Sequence, residues 1–213
     1  DHNIAGGIIR ASREEMTDTI MIGWPRRTGM IERFIETKTE SIISRTSKAV
    51  YICLFNHPLV THRKIVVACP AMAELEPGFE IWLTKITSLS KELSLDLFCY
   101  CNHETQKAIN EYFAHHKHKS GFSFADKFDF TNLQLLQSYT TPEDMLFYIT
   151  ARRTSVSYDN CVDNILERLE KQFAANSKIV IYPRVHHIDS KFSEYGDIRS
   201  ESLNQSIGRL QRI

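Results

Sequence analysis

The chain has 213 residues, 42% apolar and 10% aromatic. That suffices for one large domain or one and a half ordinary ones, with a real core. Lys plus Arg and Asp plus Glu both number 26, which excludes bulk electrostatic capture by nucleic acid or an anionic membrane. No apolar run approaches the length of a spanning helix, and no charged segment leading into an apolar one suggests a secretory signal. The cysteines, Cys53, Cys69, Cys99, Cys101 and Cys161, are odd in number. They are expected to be reduced and mostly buried, as in a cytoplasmic protein.

In chain order, residues 3–16 carry apolar positions at helical spacing (Ile4, Ile8, Ile9, Ala11, Met16). The run 19-TIMIGW reads as a strand, residues 30–46 as a helix and 49-AVYICLF as a second strand. The polar stretch 56-NHPLVTHR suits a linker. Beyond it come a strand at 64-KIVVAC, a helix over 77–94 with Pro77 in its first turn, and a strand at 95-LDLFCYC. A helix over 103–116, a weaker strand at 122-FSFADKF and a loop or short helix over 133–143 follow. A strand at 145-MLFYIT, a helix over 158–174 and a strand at 178-KIVIYP complete the pattern, and a polar tail begins after His187. The tail has an amphipathic hint at Ile198, Leu203, Ile207 and Leu210. The strand runs are continuously apolar, as when both faces of a parallel sheet are covered. Alternating strands and helices predict an α/β fold with a mainly parallel sheet.

The sequence also repeats. Asp18, an apolar run and Arg26-Arg27-Thr28 are matched by Asp144, an apolar run and Arg152-Arg153-Thr154. Each leads into a helix, and 47-SKAVYI and 177-SKIVIY follow. The second copy has three strands ahead of it and the first has none. The expected organisation is therefore the C-terminal part of a first repeat over 1–58, a complete second repeat over 64–187, and a polar tail over 188–213.

The segments 4-IAGGIIRASREEMTDTIMIGW-24 and 44-SRTSKAVYIC-53 resemble the late part of a universal stress protein domain, and residues 64–185 resemble a complete one. The phrases 64-KIVVACPAMAELEPGFEIWLTKI and 20-IMIGW also resemble the cytoplasmic C-terminal region of bacterial sodium(cation)/proton antiporters, where tandem stress-protein-like domains follow the membrane part. The resemblance implies an open five-stranded parallel sheet of order 3-2-1-4-5, with ligands at the crevice between strands 1 and 4. It implies a Gly-x2-Gly-x9-Gly-Ser/Thr loop that wraps phosphates with backbone N–H groups at a helix N-terminus, and an Asp after strand 1.

The chain departs from that pattern. Gly23 matches the first glycine, Arg26 replaces the second, Glu36 falls on the third, and Thr37 matches the Ser/Thr. The second loop, 149-ITARRTSVSYDN, has no glycine, and 68-ACPAMAE has no Asp. Without glycine the backbone does not readily reach φ > 0 or approach a phosphate closely. The candidate nucleotide or anion site, Gly23, Arg26, Arg27, Thr37, Arg152 and Arg153, is thus read as degenerate, holding ATP, AMP or another nucleotide weakly at most. Its arginines could instead pair with nearby acids or meet an acidic partner. His115, His116 and His118, with His186 and His187, fit helix ends and strand ends better than a metal site. Glu74, Glu76 and Glu80 would complement a helix macrodipole. No nucleophile motif, Walker loop or His-Glu-x-x-His is present, so no enzymatic activity is expected. The expectation is a regulatory domain on the cytoplasmic face of a membrane. Its partners would be the transport domain of the same polypeptide and a second copy. The alternative is a stand-alone universal stress protein that binds an adenine nucleotide.

Overall fold

The computed structural model describes residues 4–25, 32–116 and 121–186, the side chains of 32–38 excepted. The helix α1 (Ile4–Glu14) leads into β1 (Thr19–Gly23), and α2 (Glu32–Arg45) leads into β2 (Ala49–Leu54). Then come β3 (Lys64–Ala68), α3 (Phe79–Leu93), β4 (Asp96–Tyr100), α4 (His103–His116) and β5 (Phe122–Phe124). The last elements are α5 (Leu133–Ser138), β6 (Met145–Ile149), α6 (Ile165–Gln172) and β7 (Lys178–Tyr182). No helix among the described residues is long and apolar enough to cross a membrane.

All seven strands form one sheet of order β1-β2-β7-β6-β3-β4-β5. Residues 64–182 alone give β5-β4-β3-β6-β7, the 3-2-1-4-5 order implied by the resemblance. The sheet exceeds five strands because β1 and β2 join it at β7. Every neighbouring pair is parallel except β2 and β7, which run antiparallel with Ile52 opposite Val180. Strands buried on both faces explain the continuous apolar runs: all five residues of β6 are buried. One face packs Ile65, Val67 and Phe147 against Trp82, Leu83 and Ile86 of α3. The other packs Val66, Tyr148 and Val180 against Ile165 and Leu169 of α6.

Some local expectations shift. The strand at 122 stops after three residues. Residues 133–138 are a helix, capped by the Asn132 side chain accepting from the Gln134 and Leu135 N–H groups. The helix expected over 158–174 is shorter, because Asn160–Val162 is a 3-10 turn and Asn164 adopts a left-handed conformation at φ 55° before α6. Pro77 lies ahead of the α3 N-cap, Gly78, rather than in the first turn. The tail over 188–213 lies outside the described residues.

The repeat holds at its Asp and slips at its Ser-Lys. Ile20 faces Val50, whereas Leu146, its counterpart counted from Asp144, faces Lys178. Lys178 therefore stands where the first unit has Val50, and both are fully buried. The Lys178 ammonium donates to the Phe173 carbonyl at 2.8 Å and lies 5.3 Å from the centre of the Trp24 ring. Burial pushes its pKa down and the charge of Glu170 opposes that shift.

Arg152 crosses the same seam from the other side. Its guanidinium donates to the carbonyls of Ile43, Lys48 (2.7 Å) and Pro183 (3.4 Å). The side chain ties the end of α2 and the start of β2 to the end of β7. Burial pushes its pKa down to about 10, against the charge of Tyr182. A lysine ammonium cannot reproduce this planar fork. Arg152→Lys is expected to destabilise by about 1–3 kcal/mol and Arg152→Met by about 3 kcal/mol, read as a fall in urea midpoint. Loss of less than about 0.5 kcal/mol for both variants would show that the fork is not holding the seam.

Candidate functional site

The site expected from the resemblance lies where β3 and β6, adjacent and parallel, end. Two loops meet there: residues 69–78 after β3 and 150–164 after β6. The first is built from local turns. Ala73–Leu75 is a 3-10 turn entered through Met72 at φ 62°, and the Phe79 N–H donates to the Glu76 carbonyl. The second is held by the Thr150 N–H on the Ile181 carbonyl, Ser155 N–H on the Arg152 carbonyl, and Tyr158 N–H on the Ser155 carbonyl. Asp159 caps the turn that follows, accepting from the Cys161 N–H at 2.7 Å.

A carboxylate joins the two loops. Glu76 is buried, and its Oε1 accepts from the Ser157 N–H at 2.9 Å and from the Ser157 hydroxyl at 2.6 Å. A backbone N–H of the loop after β6, the type of donor that cradles a phosphate, is thus spent on an anion of the chain itself. Glu74 is used similarly, accepting from the Thr105 hydroxyl at 2.6 Å, next to the first turn of α4. Of the three glutamates expected to serve a helix macrodipole, only Glu80 lies in the first turn of α3.

The loop after β3 is also packed shut. A Cβ on Gly78 would lie 2.7 Å from the Arg184 nitrogen and 2.9 Å from Pro183 Cβ. The chain leaving β7 therefore crosses directly over the start of α3. It continues along the first unit, with the Val185 N–H on the Ser47 carbonyl and Arg184 3.7 Å from Asp18.

Among the described residues, the sequence-derived positions do not converge. Because β2 and β7 are antiparallel, the carboxyl end of β1 lies at the amino end of β7. Gly23 and Arg152 therefore sit at opposite edges of the sheet. A Cβ on Gly23 would meet nothing within 4 Å, so no close approach demands a glycine. Thr37 lies within α2, beyond the free N–H groups of its first turn. Arg26 and Arg27 lie outside the described residues. Arg152 is buried and donates to three backbone carbonyls. Arg153 is exposed and pairs loosely with Asp163 at 3.6 Å. Sequence reasoning missed Glu76 as a site residue; the Pro77-Gly78 that follows it was the available signal of a turn aimed inward.

The described histidines and cysteines are placed as follows. His115 and His116 donate through Nδ1 to the Glu111 and Tyr112 carbonyls, and His116 stacks on Tyr112. His186 is exposed, and His118 and His187 lie outside the described residues. Among the described residues no cluster of three His, Cys, Asp or Glu could hold a metal. All five cysteines are free, with Cys69, Cys99 and Cys101 buried.

No family model matches the sequence, and no curated protein matches it. Solved structures do. A putative universal stress protein from Pseudomonas aeruginosa superposes with a TM-score of 0.54 at 12% identity, over 86% of this chain and 70% of that one. A universal stress protein from Archaeoglobus fulgidus gives 0.50 at 13%, over 85% and 65%. The fold is universal-stress-protein-like. A protein of unknown function from Pseudomonas aeruginosa gives 0.56 at 13% identity, over 86% of this chain and 69% of that one. The likeness is one of fold, and the chain spans about two thirds of these neighbours' lengths.

In this universal-stress-protein-like crevice, Glu76 and Ser157 make a contact between loops distant in sequence. Glu76→Ala is expected to cost about 2 kcal/mol and Ser157→Ala about 1 kcal/mol, with the double variant costing less than their sum. Chemical denaturation of the four proteins measures this, and strict additivity would mean that the two side chains do not interact.

Proposed function

We propose that this chain is a non-catalytic regulatory module. It is the cytoplasmic part of a membrane sodium(cation):proton antiporter, built on universal-stress-protein-like sheets whose nucleotide-type crevice has been given over to internal contacts. The observation that carries this reading is the Glu76 carboxylate on the Ser157 N–H and hydroxyl. A crevice whose donors already hold an anion offers a phosphate little gain, and the buried carboxylate would repel it. With Arg152 committed to carbonyls as well, the geometry favours a rigid body that makes contacts over a pocket that turns over ligand.

Such a module acts by contact. Its partners are the transport domain of the same polypeptide and a second copy, and it regulates if an effector binds one arrangement more tightly than the other. The phrasing shared with antiporter C-terminal regions at 20-IMIGW and 64–86 supports that placement. The alternative, a stand-alone universal stress protein that binds an adenine nucleotide, draws on the fold of the neighbours.

Thermal unfolding with ATP, AMP and cyclic dinucleotides separates the two. A ligand at a hundred times its Kd raises the midpoint by about 5 °C or more. We expect no shift for this chain. A shift of that size with ATP or AMP, abolished by substitutions in the loop after β6, would favour the stress-protein reading. The antiporter reading itself is tested in the full polypeptide: deleting the module is expected to change the pH or cation dependence of transport, and an unaltered profile would reject it.

A further inference from the structure

Two thiols meet where β3 and β4 end. The parallel ladder pairs Ala68 with Tyr100, and the Cys69 N–H continues it by donating to the Tyr100 carbonyl at 3.1 Å. Cys69 therefore faces Cys101, one step beyond the last paired residues. Both side chains join one core cluster, with Trp82 and Ile86 of α3 and Ile109 of α4. A side-chain hydrogen bond runs between them. Neighbouring strands lie about 4.8 Å apart, within the Cα separation of about 4.4–6.8 Å that a disulfide spans. Cys99 shares their face but lies opposite Val67. Cys53 is in β2, and Cys161 is in the turn after β6.

The pair sits beneath a junction. Cys69 opens the loop that carries Glu74 and Glu76. Cys101 precedes Asn102, whose side chain accepts from the Thr105 N–H at 2.9 Å at the start of α4. The Glu74 carboxylate on the Thr105 hydroxyl already joins these two segments. The Cys69 thiol is held well above its ordinary pKa, first by the hydrogen bond with Cys101, then by burial and by nearby charges that include Glu74. The thiolate is the form that reacts with an oxidant, so the pair rests as two thiols. Cys101 is 6% exposed and Cys69 is fully enclosed, so an oxidant meets Cys101 first.

We propose that Cys69 and Cys101 form a reversible disulfide that locks the loop after β3 to the start of α4, with a hydroperoxide as the oxidant. The Cys101 thiolate attacks one peroxide oxygen. The O–O bond breaks, the leaving hydroxide takes up the proton released by the thiol, and Cys101 carries a sulfenic acid. The Cys69 sulfur then attacks the Cys101 Sγ. The S–O bond breaks, the S–S bond forms, and the hydroxyl leaves as water with the Cys69 proton. Two thiols are oxidised by two electrons, and hydrogen peroxide is reduced to two waters. A dithiol reductant reverses the bond by exchange. Glu74 slows the second step, because its charge disfavours the thiolate at Cys69. The inference is independent of what the crevice binds.

Hydrogen peroxide treatment of the folded chain tests it. Remaining thiols are alkylated, the protein is digested, and linked peptides are identified by mass spectrometry. Cys69 joined to Cys101 is expected as the main linkage. The thermal midpoint should rise by about 5 °C or more, because closing a ring of about 30 residues restricts the unfolded chain. Dithiothreitol should reverse that rise. Glu74→Gln, which can still accept from Thr105, is expected to form the linkage about threefold faster or more. Cys69→Ala should lose the linkage and leave a sulfenic acid at Cys101 that dimedone captures. Linkage through Cys53, Cys99 or Cys161 instead would overturn the proposal. So would oxidation of Cys101 to sulfinic acid with no disulfide, or an unchanged midpoint after complete linkage. The mapping uses the unmutated chain, so the result does not depend on whether a variant folds.

Discussion

The antiparallel pairing of β2 with β7 sets the rest of the molecule. Each unit by itself is a parallel βαβ arrangement, and parallel strands put their loop-bearing carboxyl ends on one edge of a sheet. Reversing direction at a single seam puts Gly23, at the carboxyl end of β1, and Ile149, at the carboxyl end of β6, at opposite ends of the sheet. Residues that look equivalent in the sequence therefore cannot cooperate in one site. The same reversal brings the loop after β6 against the end of α2 and the start of β2, where Arg152 finds two of its three carbonyls. It also brings Trp24 over Lys178.

Much of the fold was legible because it is written in local pattern. Continuous apolar runs located β3, β4, β6 and β7 to within a residue or two, and the period of Phe79, Trp82, Leu83 and Ile86 located α3. The weak run at 122 overstated β5, because Phe124 and Phe128 pack on opposite clusters rather than extending one strand. The seam was not legible. Nothing in 49-AVYICL or 178-KIVIY says which neighbour each strand takes on its second side, since main-chain pairing is blind to side-chain identity. The matched Ser-Lys pairs even misled the alignment, placing Lys178 beside Lys48 when the ladder places it at the position of Val50.

The site was less legible than the fold, for a chemical reason. An arginine in a loop has the same sequence signature whether its fork meets a phosphate, a carboxylate or a backbone carbonyl. Absence of glycine set the loop after β6 apart from the glycine-rich phosphate-cradle pattern, but it could not reveal what contacts that loop makes. The Glu76 carboxylate comes from a loop 81 residues away in the chain, and no local pattern connects it to Ser157.

Arg152 and Lys178 share one feature: each is a buried cation whose hydrogen bonds go to backbone carbonyls. Burying a charge without a counter-ion is expensive, and apolar residues of similar size often give equal or greater stability. What the arrangement adds is register. Two open sheets joined edge to edge can slide by two residues while keeping every side chain on its proper face and most of the ladder intact. Arg152 forbids that slide, because its fork fits carbonyls at Ile43, Lys48 and Pro183 that belong to both sides of the seam. Lys178 forbids it from the other edge, because its ammonium needs the Phe173 carbonyl and the Trp24 ring together. Arg152, which the sequence offered as an anion ligand, thus acts with Lys178 to fix how the two units meet.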